Sequence, residues 1–314
     1  MRVTQNQFAN TLVSRLNALT ARQYGLQSQV SSGLRVQAPS DDPVAMENVL
    51  NYQTSQAAQT QYGSNIATLQ DRANAIYNVL QSLQTISNRV GEISTLAGDP
   101  TKSQSDLNIY ATEVSQLIQH AAQLVNTQDA ATGQYLFGGT HSGQAPFTLT
   151  KDANGNVTGV TYQGNTAVTQ TEIAAGATLS VDAPGENTSG TGPRGLVSDS
   201  RSGADLFNHL ISLQNNLLAG NTAAITSSDV PALQKDENNL LYQISNNGAV
   251  QTRLNSAATL ASDTSASLDQ LMSKASNADL VQTMVQLNEA QNAYQAALAS
   301  GSKIMQLSLL NYIQ

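Results

Sequence analysis

Ser31-Ser32-Gly33-Leu34-Arg35-Val36-Gln37-Ala38-Pro39-Ser40-Asp41-Asp42-Pro43 is a stretch that stops one helix and starts another. Gly33, with no Cβ, can take the left-handed conformation that ends a helix. Pro43 suits a first helical position, where no N–H is needed. Asp42 before it supplies an oxygen to the unpaired N–H groups of the new turn. Ser40 is the poorer cap, because the third residue after it is Pro43, which has no N–H to offer. Asp41 and Asp42 side by side also suit a carboxylate pair for catalysis or metal binding, but Pro43 directly after them favours the cap and turn.

Upstream, Leu12, Leu16, Leu19, Leu26 and Val30, with Ala9, Gln23 and Gly33 between and around them, recur in steps of three and four. The same spacing returns at the other end of the chain. There Leu280, Met284, Leu287, Tyr294, Leu298, Met305 and Tyr312 alternate with Gln291, Gly301 and Ser308. Such spacing puts each set on one narrow face of a helix, the pattern of a coiled-coil seam. Periodicity alone also fits ordinary core helices of a bundle. Gln23 and Gln291 interrupt the stripes with polar groups of the kind that fix register at a cost in stability.

Downstream, the period predicts a helix from Pro43 to about Leu96, with Val49, Ile66, Leu69, Ile76, Leu80, Leu83, Ile86, Val90 and Ile93 inward. Gly98-Asp99-Pro100 breaks it. A second helix, from about Ser103 to Ala131, should return antiparallel to the first. At Gly133 the pattern changes. Tyr135 to Gly139 reads as a short strand or hairpin arm, and residues 142–197 are rich in Gly and Thr. Val157–Gln163, Val168–Ile173 and Thr178–Asp182 are candidate strands, the first preceded by the turn Asp152–Asn156, and Pro184–Gly195 is a loop. Helical period resumes near Ala204 with Leu206, Leu210, Leu213 and Leu217, and stops at Gly220-Asn221. A last long helix should start near Ser228, with Asp229 as a possible cap. It should run through Leu240, Leu241, Ile244, Val250, Leu254, Leu260 and Leu268 to Leu271, before a break at Lys274–Ala278.

The expected fold is therefore mainly α with a β-rich insert: long antiparallel helical rods, terminal coiled-coil helices and a small β domain in the middle. Its expected segments are 1–42 (seam helix and linker), 43–141 (rod, first part), 142–200 (β-rich outer insert), 201–273 (rod, second part) and 274–314 (C-terminal seam helix).

Composition narrows the function classes. Only 11% of the 314 residues are charged, aromatic groups are sparse, and tryptophan is absent, which suits long thin helical layers better than a globular enzyme body. A net charge of −8 argues against nucleic acid as a partner, since that needs a basic face. With no cysteine there is neither a disulfide framework nor thiolate chemistry. No run of about 18 apolar residues suggests a membrane span, and residues 1–10 lack the apolar centre of a secretory signal peptide. These absences suggest a cytosolic protein or one exported without a cleaved signal. His120, His141 and His209 share no metal-ligand spacing, and no HExxH, GxSxG, P-loop or dinucleotide fingerprint occurs. No catalytic residue, metal ligand or cofactor is expected. A secreted enzyme with helical flanks and a β-domain adhesin on a helical stalk are rival readings that find no supporting cluster of residues.

The block from Ser31 to Ala45 resembles the one that joins the first seam helix to the next rod in the flagellin superfamily. Within that superfamily, Pro39-Ser40-Asp41-Asp42-Pro43 is similar to the hook-associated protein 3 family rather than to flagellin. So are Tyr135-Leu136-Phe137-Gly138-Gly139-Thr140, Ala145-Pro146-Phe147 and the ending Ser308-Leu309-Leu310-Asn311-Tyr312-Ile313. The resemblance covers roughly residues 1–140 and 200–314. It implies a structural protein of the hook–filament junction, exported unfolded by the flagellar type III route and lying outside the cell. It also implies copies of itself, hook-associated protein 1, flagellin and an export chaperone at the C-terminal helix as partners. A flagellin filament subunit is the alternative within the superfamily. The terminal stripes, thin in large apolar groups, are expected to order fully only when neighbouring subunits cover them.

Overall fold

The computed structural model describes residues 2–313; the side chains of residues 2–6, 8 and 304–313 lie outside the description. Met305 and Tyr312 of the C-terminal stripe are therefore outside the described residues. The order of elements is α1 (Arg2–Ser32), α2 (Pro43–Ala97), α3 (Gln104–Val125), β1 (Phe147–Lys151), β2 (Val157–Tyr162), β3 (Thr171–Ala174), β4 (Ala177–Leu179), β5 (Glu186–Asn187), β6 (Ser198–Asp199), β7 (Ala204–Asp205), α4 (Leu206–Leu218), α5 (Thr222–Ala224), a π-helical turn (Ile225–Asp229), α6 (Val230–Ser276) and α7 (Leu280–Ile313). The fold is mainly helical, with the strands confined to the middle of the chain. Contacts divide it into two compact units, residues 1–58 with 263–314, and residues 59–262.

In the second unit, α2 buries Ile66, Leu69, Ala73, Ile76, Leu80, Leu83, Ile86, Val90, Ile93 and Ala97, one row at steps of three and four. From Ile76 onward that row packs with Leu107, Val114, Ile118 and Val125 of α3 and with Leu206, Leu210, Leu213 and Leu217 of α4. A second cluster joins Ile66, Leu69 and Ala73 to Ile173, Leu179 and Val181 of the insert and to Leu254 and Ala261 of α6. Ser103 starts α3 with a reciprocal capping box: its side chain accepts from Asp106 N–H, and Asp106 accepts from Ser103 N–H.

The helix expected to reach Ala131 ends at Val125 instead. Asn126 stops it by pairing with the start of β1: its Oδ1 accepts from Phe147 N–H at 2.9 Å and its Nδ2 donates to Phe147 O at 2.8 Å. The expected strand at Val157 is β2, antiparallel to β1, and Asp152 builds the turn by accepting from the N–H groups of Asn154 and Asn156. β3 and β4 form a second hairpin. The region read as a loop contributes β5, which pairs parallel with β6, itself antiparallel to β7.

Asp229 is not a helix cap. It is buried in the π-helical turn and accepts from Ser212 Oγ at 2.8 Å and Asn216 Nδ2 at 2.7 Å. The cap is Asn221, whose Oδ1 accepts from Ala224 N–H. The chain is helical from Thr222 onward, and the widened turn lies just before Pro231, whose ring would crowd a carbonyl one turn back. The buried face of α6 is unexpectedly polar. Asn239 Nδ2 donates to the carbonyls of Gly195 and Leu196, Gln243 Nε2 to those of Arg194 and Gly195, and Asn247 Nδ2 to that of Ala73. Leu241 and Leu260, in the expected apolar series, are exposed.

Candidate assembly interface

The first unit is built on the antiparallel pairing of α1 with α7. Gly301 lets the helices approach so closely that a Cβ there would strike Leu12 Cδ2. Gln23 crosses the pair to donate from Nε2 to Ala290 O at 3.0 Å. At the far end, Leu34 bridges to Asn277, Arg35 N–H donates to Ser276 O at 2.7 Å, and Ala278 N–H donates to Gly33 O at 2.9 Å. The linker read first in the sequence is thus bound to the break between α6 and α7.

Inside the linker, each predicted residue has a definite place. Gly33 sits at φ +73° and its N–H donates to Gln29 O, closing α1. Asp41 Oδ2 accepts from the N–H groups of Gln37 and Ala38, both at 3.0 Å. Asp42 Oδ1 accepts from Ala45 N–H at 3.0 Å, and its Oδ2 pairs with Arg35 Nη1 at 3.1 Å. Arg35 also donates from Nη2 to Ala275 O. Pro39, Ser40 and Pro43 are exposed, and the Ser40 hydroxyl bonds no described residue.

These bonds favour charged carboxylates. The N–H groups of Gln37 and then Ala38 hold Asp41 below its ordinary 3.8, and Ala45 N–H and then Arg35 do the same for Asp42. A depressed folded value means that the stabilisation is complete above 3.8 and is lost as pH falls through the lower folded values. Amide protection at Gln37, Ala38 and Ala45 is therefore expected to hold at neutral pH and to fall away with a midpoint below 3.8. A midpoint above that value, followed by NMR-detected exchange, would contradict the linker geometry.

The described stripe residues divide between two rows. On α1, Leu26 is buried and Leu12, Leu16, Leu19 and Val30 are half-buried, while Val13 and Tyr24 are exposed. On α7, Leu287 and Tyr294 are half-buried. Leu280, Met284 and Leu298 are turned outward, Met284 at 50% and Leu298 at 45% exposure, alongside Val281 and Val285. The buried positions of α7 among the described residues are Thr283, Ala290 and Gly301. Sequence reading passed over Thr283 and Ala290. The available signal was small residues in register with Gly301, which permit close helix approach. The single chain thus leaves an apolar row of α7 uncovered. Among the described residues, no group of three or more His, Cys, Asp or Glu is placed to hold a metal, and no helix is long and apolar enough to cross a membrane.

The profile of the bacterial flagellin N-terminal helical region matches residues 3–142. That part of the chain is flagellin-like. Flagellar hook-associated protein 3 of Salmonella typhimurium is 28% identical over 170 residues, 54% of this chain and 51% of that protein, so the match spans about half its length. Flagellar hook-associated protein 3 of Escherichia coli is 25% identical over 293 residues, 90% of each chain. A solved structure assigned as a flagellar hook-associated protein of Vibrio parahaemolyticus superposes with a TM-score of 0.64 at 21% identity, covering 76% of this chain and all of that one. That likeness shows the fold: long helices around a small β region. The resemblance to the flagellin superfamily, on its hook-associated protein 3 side, rests on the matched N-terminal region and these two relatives.

Proposed function

We propose that this chain is a structural protein of the bacterial flagellum that joins the hook, through hook-associated protein 1, to the flagellin filament. The observation that carries the reading is the match to a flagellar hook-associated protein 3 over nine-tenths of both chains. The uncovered apolar row of α7, Leu280, Met284 and Leu298, supports it, because a ring of copies would bury that row. The assembly surface is the stripe pair Leu12, Leu16, Leu19, Leu26, Val30 and Leu280, Met284, Leu287, Tyr294, Leu298, Met305, Tyr312. The motif Pro39-Ser40-Asp41-Asp42-Pro43 holds the linker beside it. The protein acts outside the cell after passing unfolded through the flagellar export channel, a route that the absence of cysteine leaves unobstructed. The apolar C-terminal helix suits an export chaperone that takes a helix in a groove. Deletion of the gene followed by electron microscopy tests the role. Intact hooks with flagellin lost to the medium are expected. Full-length filaments on the deletion strain would rule the role out, and failure to make any flagellin would favour the alternative, a filament subunit.

A further inference from the structure

In the second unit, a cleft of about 310 Å³ opens where α2 meets the β-rich insert. Arg72 and Asp182 lie in it with side chains only 14% and 7% exposed. Arg72 Nε donates to Asp182 Oδ1 at 2.5 Å, and Thr169 N–H donates to Asp182 Oδ2 at 3.3 Å. The two Nη atoms of Arg72 keep access to the open cleft and make no hydrogen bond to any described residue. The side chains of Gln134, Ser142, Thr169 and Thr171 line the same cleft, and their amide and hydroxyls likewise bond no described residue. Buried Leu69 adds an apolar wall.

We infer that this cleft binds a neutral saccharide of hexose size. Its volume sits at the lower end of small-molecule sites, roughly 300–1,000 Å³, which bury most of their ligand and fix it with a few placed polar groups. The free groups are a guanidinium, an amide and three hydroxyls, a set that matches a ring of hydroxyls able both to donate and to accept. Charge selects against an anion. Arg72 already faces Asp182, and Asp129 is a second carboxylate within range of its field, so an added negative group would meet two acids for one base.

The test is a titration of the full, ¹⁵N-labelled chain with methyl α-D-glucopyranoside and methyl α-D-galactopyranoside up to about 50 mM, a range that captures millimolar binding. At least one should give saturable amide shifts at Thr140, Ser142, Thr169 and Thr171. Gln134→Ala and Thr169→Val alter exposed positions outside the core and should each weaken that binding by about fivefold, the size of one hydrogen bond. Glucuronate should bind more weakly than either hexoside. No saturable shift with either hexoside, shifts unchanged in both variants, or glucuronate binding as well as the neutral sugars would each overturn the inference.

Discussion

With Met284 and Leu298 replaced together by aspartate, the purified chain is expected to melt where the parent does, while cells carrying it grow hooks without filaments. The argument turns on where these side chains are. Each is about half exposed in the single chain, so the monomer gains little from its apolar surface and loses little when it goes. Surface substitutions of this kind stay within about 0.5 kcal/mol, which is within roughly 4 °C in melting temperature. In the proposed assembly the same positions are covered by a neighbour. A carboxylate carried into a dry apolar contact without a partner costs several kcal/mol or forces the contact open. That cost recurs at every copy around a ring. Leu16→Asp should also block assembly, but Leu16 is half-buried on α1, so it should disturb the monomer as well. Asn288→Asp, an exposed polar position on the same helix, is the control for adding charge without removing an apolar group. Calorimetry on the purified chain and electron microscopy of the cells are read together. Normal filaments on the double variant would show that the outward row of α7 is not an assembly surface.

At the outward row the sequence pattern and the packed structure differ. Periodicity picks out large apolar residues, so on α7 it finds Leu280, Met284 and Leu298. It passes over Thr283 and Ala290, which are buried together with Gly301, a stripe position small enough to let α1 come close. The start of α2 was legible because Asp42 and Pro43 act through bonds within one turn. The inward row of α2 was legible because the helix is long and its core is apolar. The buried face of α6 was not, because Asp236, Asn239, Gln243 and Asn247 bury polar groups there, three of them donating to backbone carbonyls far away in sequence. The amide side chains of that face are only affordable in the interior because those distant carbonyls receive them. His209 shows the same limit: its partner Asp236, 2.8 Å from Nδ1, lies on another helix. The end of α3 at Val125 depends on Asn126 meeting Phe147, and β5, β6 and β7 are two residues long, too short to display a period.

Gly139→Ala is expected to be among the most damaging single-methyl changes in the chain, and a matched glycine shows why. Gly139 lies at φ +65°, where an L side chain costs about 1–2 kcal/mol. It is also enclosed. A Cβ there would strike the Asn165 carbonyl and side-chain oxygens, and the Ala167 carbonyl stands 2.9 Å away. Asn165 cannot simply step back. Its N–H donates to Gly138 O, its Oδ1 accepts from Thr140 N–H, and the Tyr162 hydroxyl lies 3.0 Å from its carbonyl and 2.9 Å from that of Phe137. Phe137 is itself fully buried in the main core, so a shift at residue 139 is passed into it. Overpacking of this kind adds about 1–3 kcal/mol, for a total of roughly 2–5 kcal/mol. Gly155 shares the left-handed backbone at φ +86° but has nothing within 4 Å of its would-be Cβ, so Gly155→Ala should cost only the conformational part, about 1–2 kcal/mol. Urea unfolding of the full chain, monitored by the insert's own amides, compares the two at equal chemistry. If Gly139→Ala and Gly155→Ala lowered stability equally, the packing of Phe137-Gly138-Gly139 against Asn165 would not be the constraint that keeps glycine in that turn.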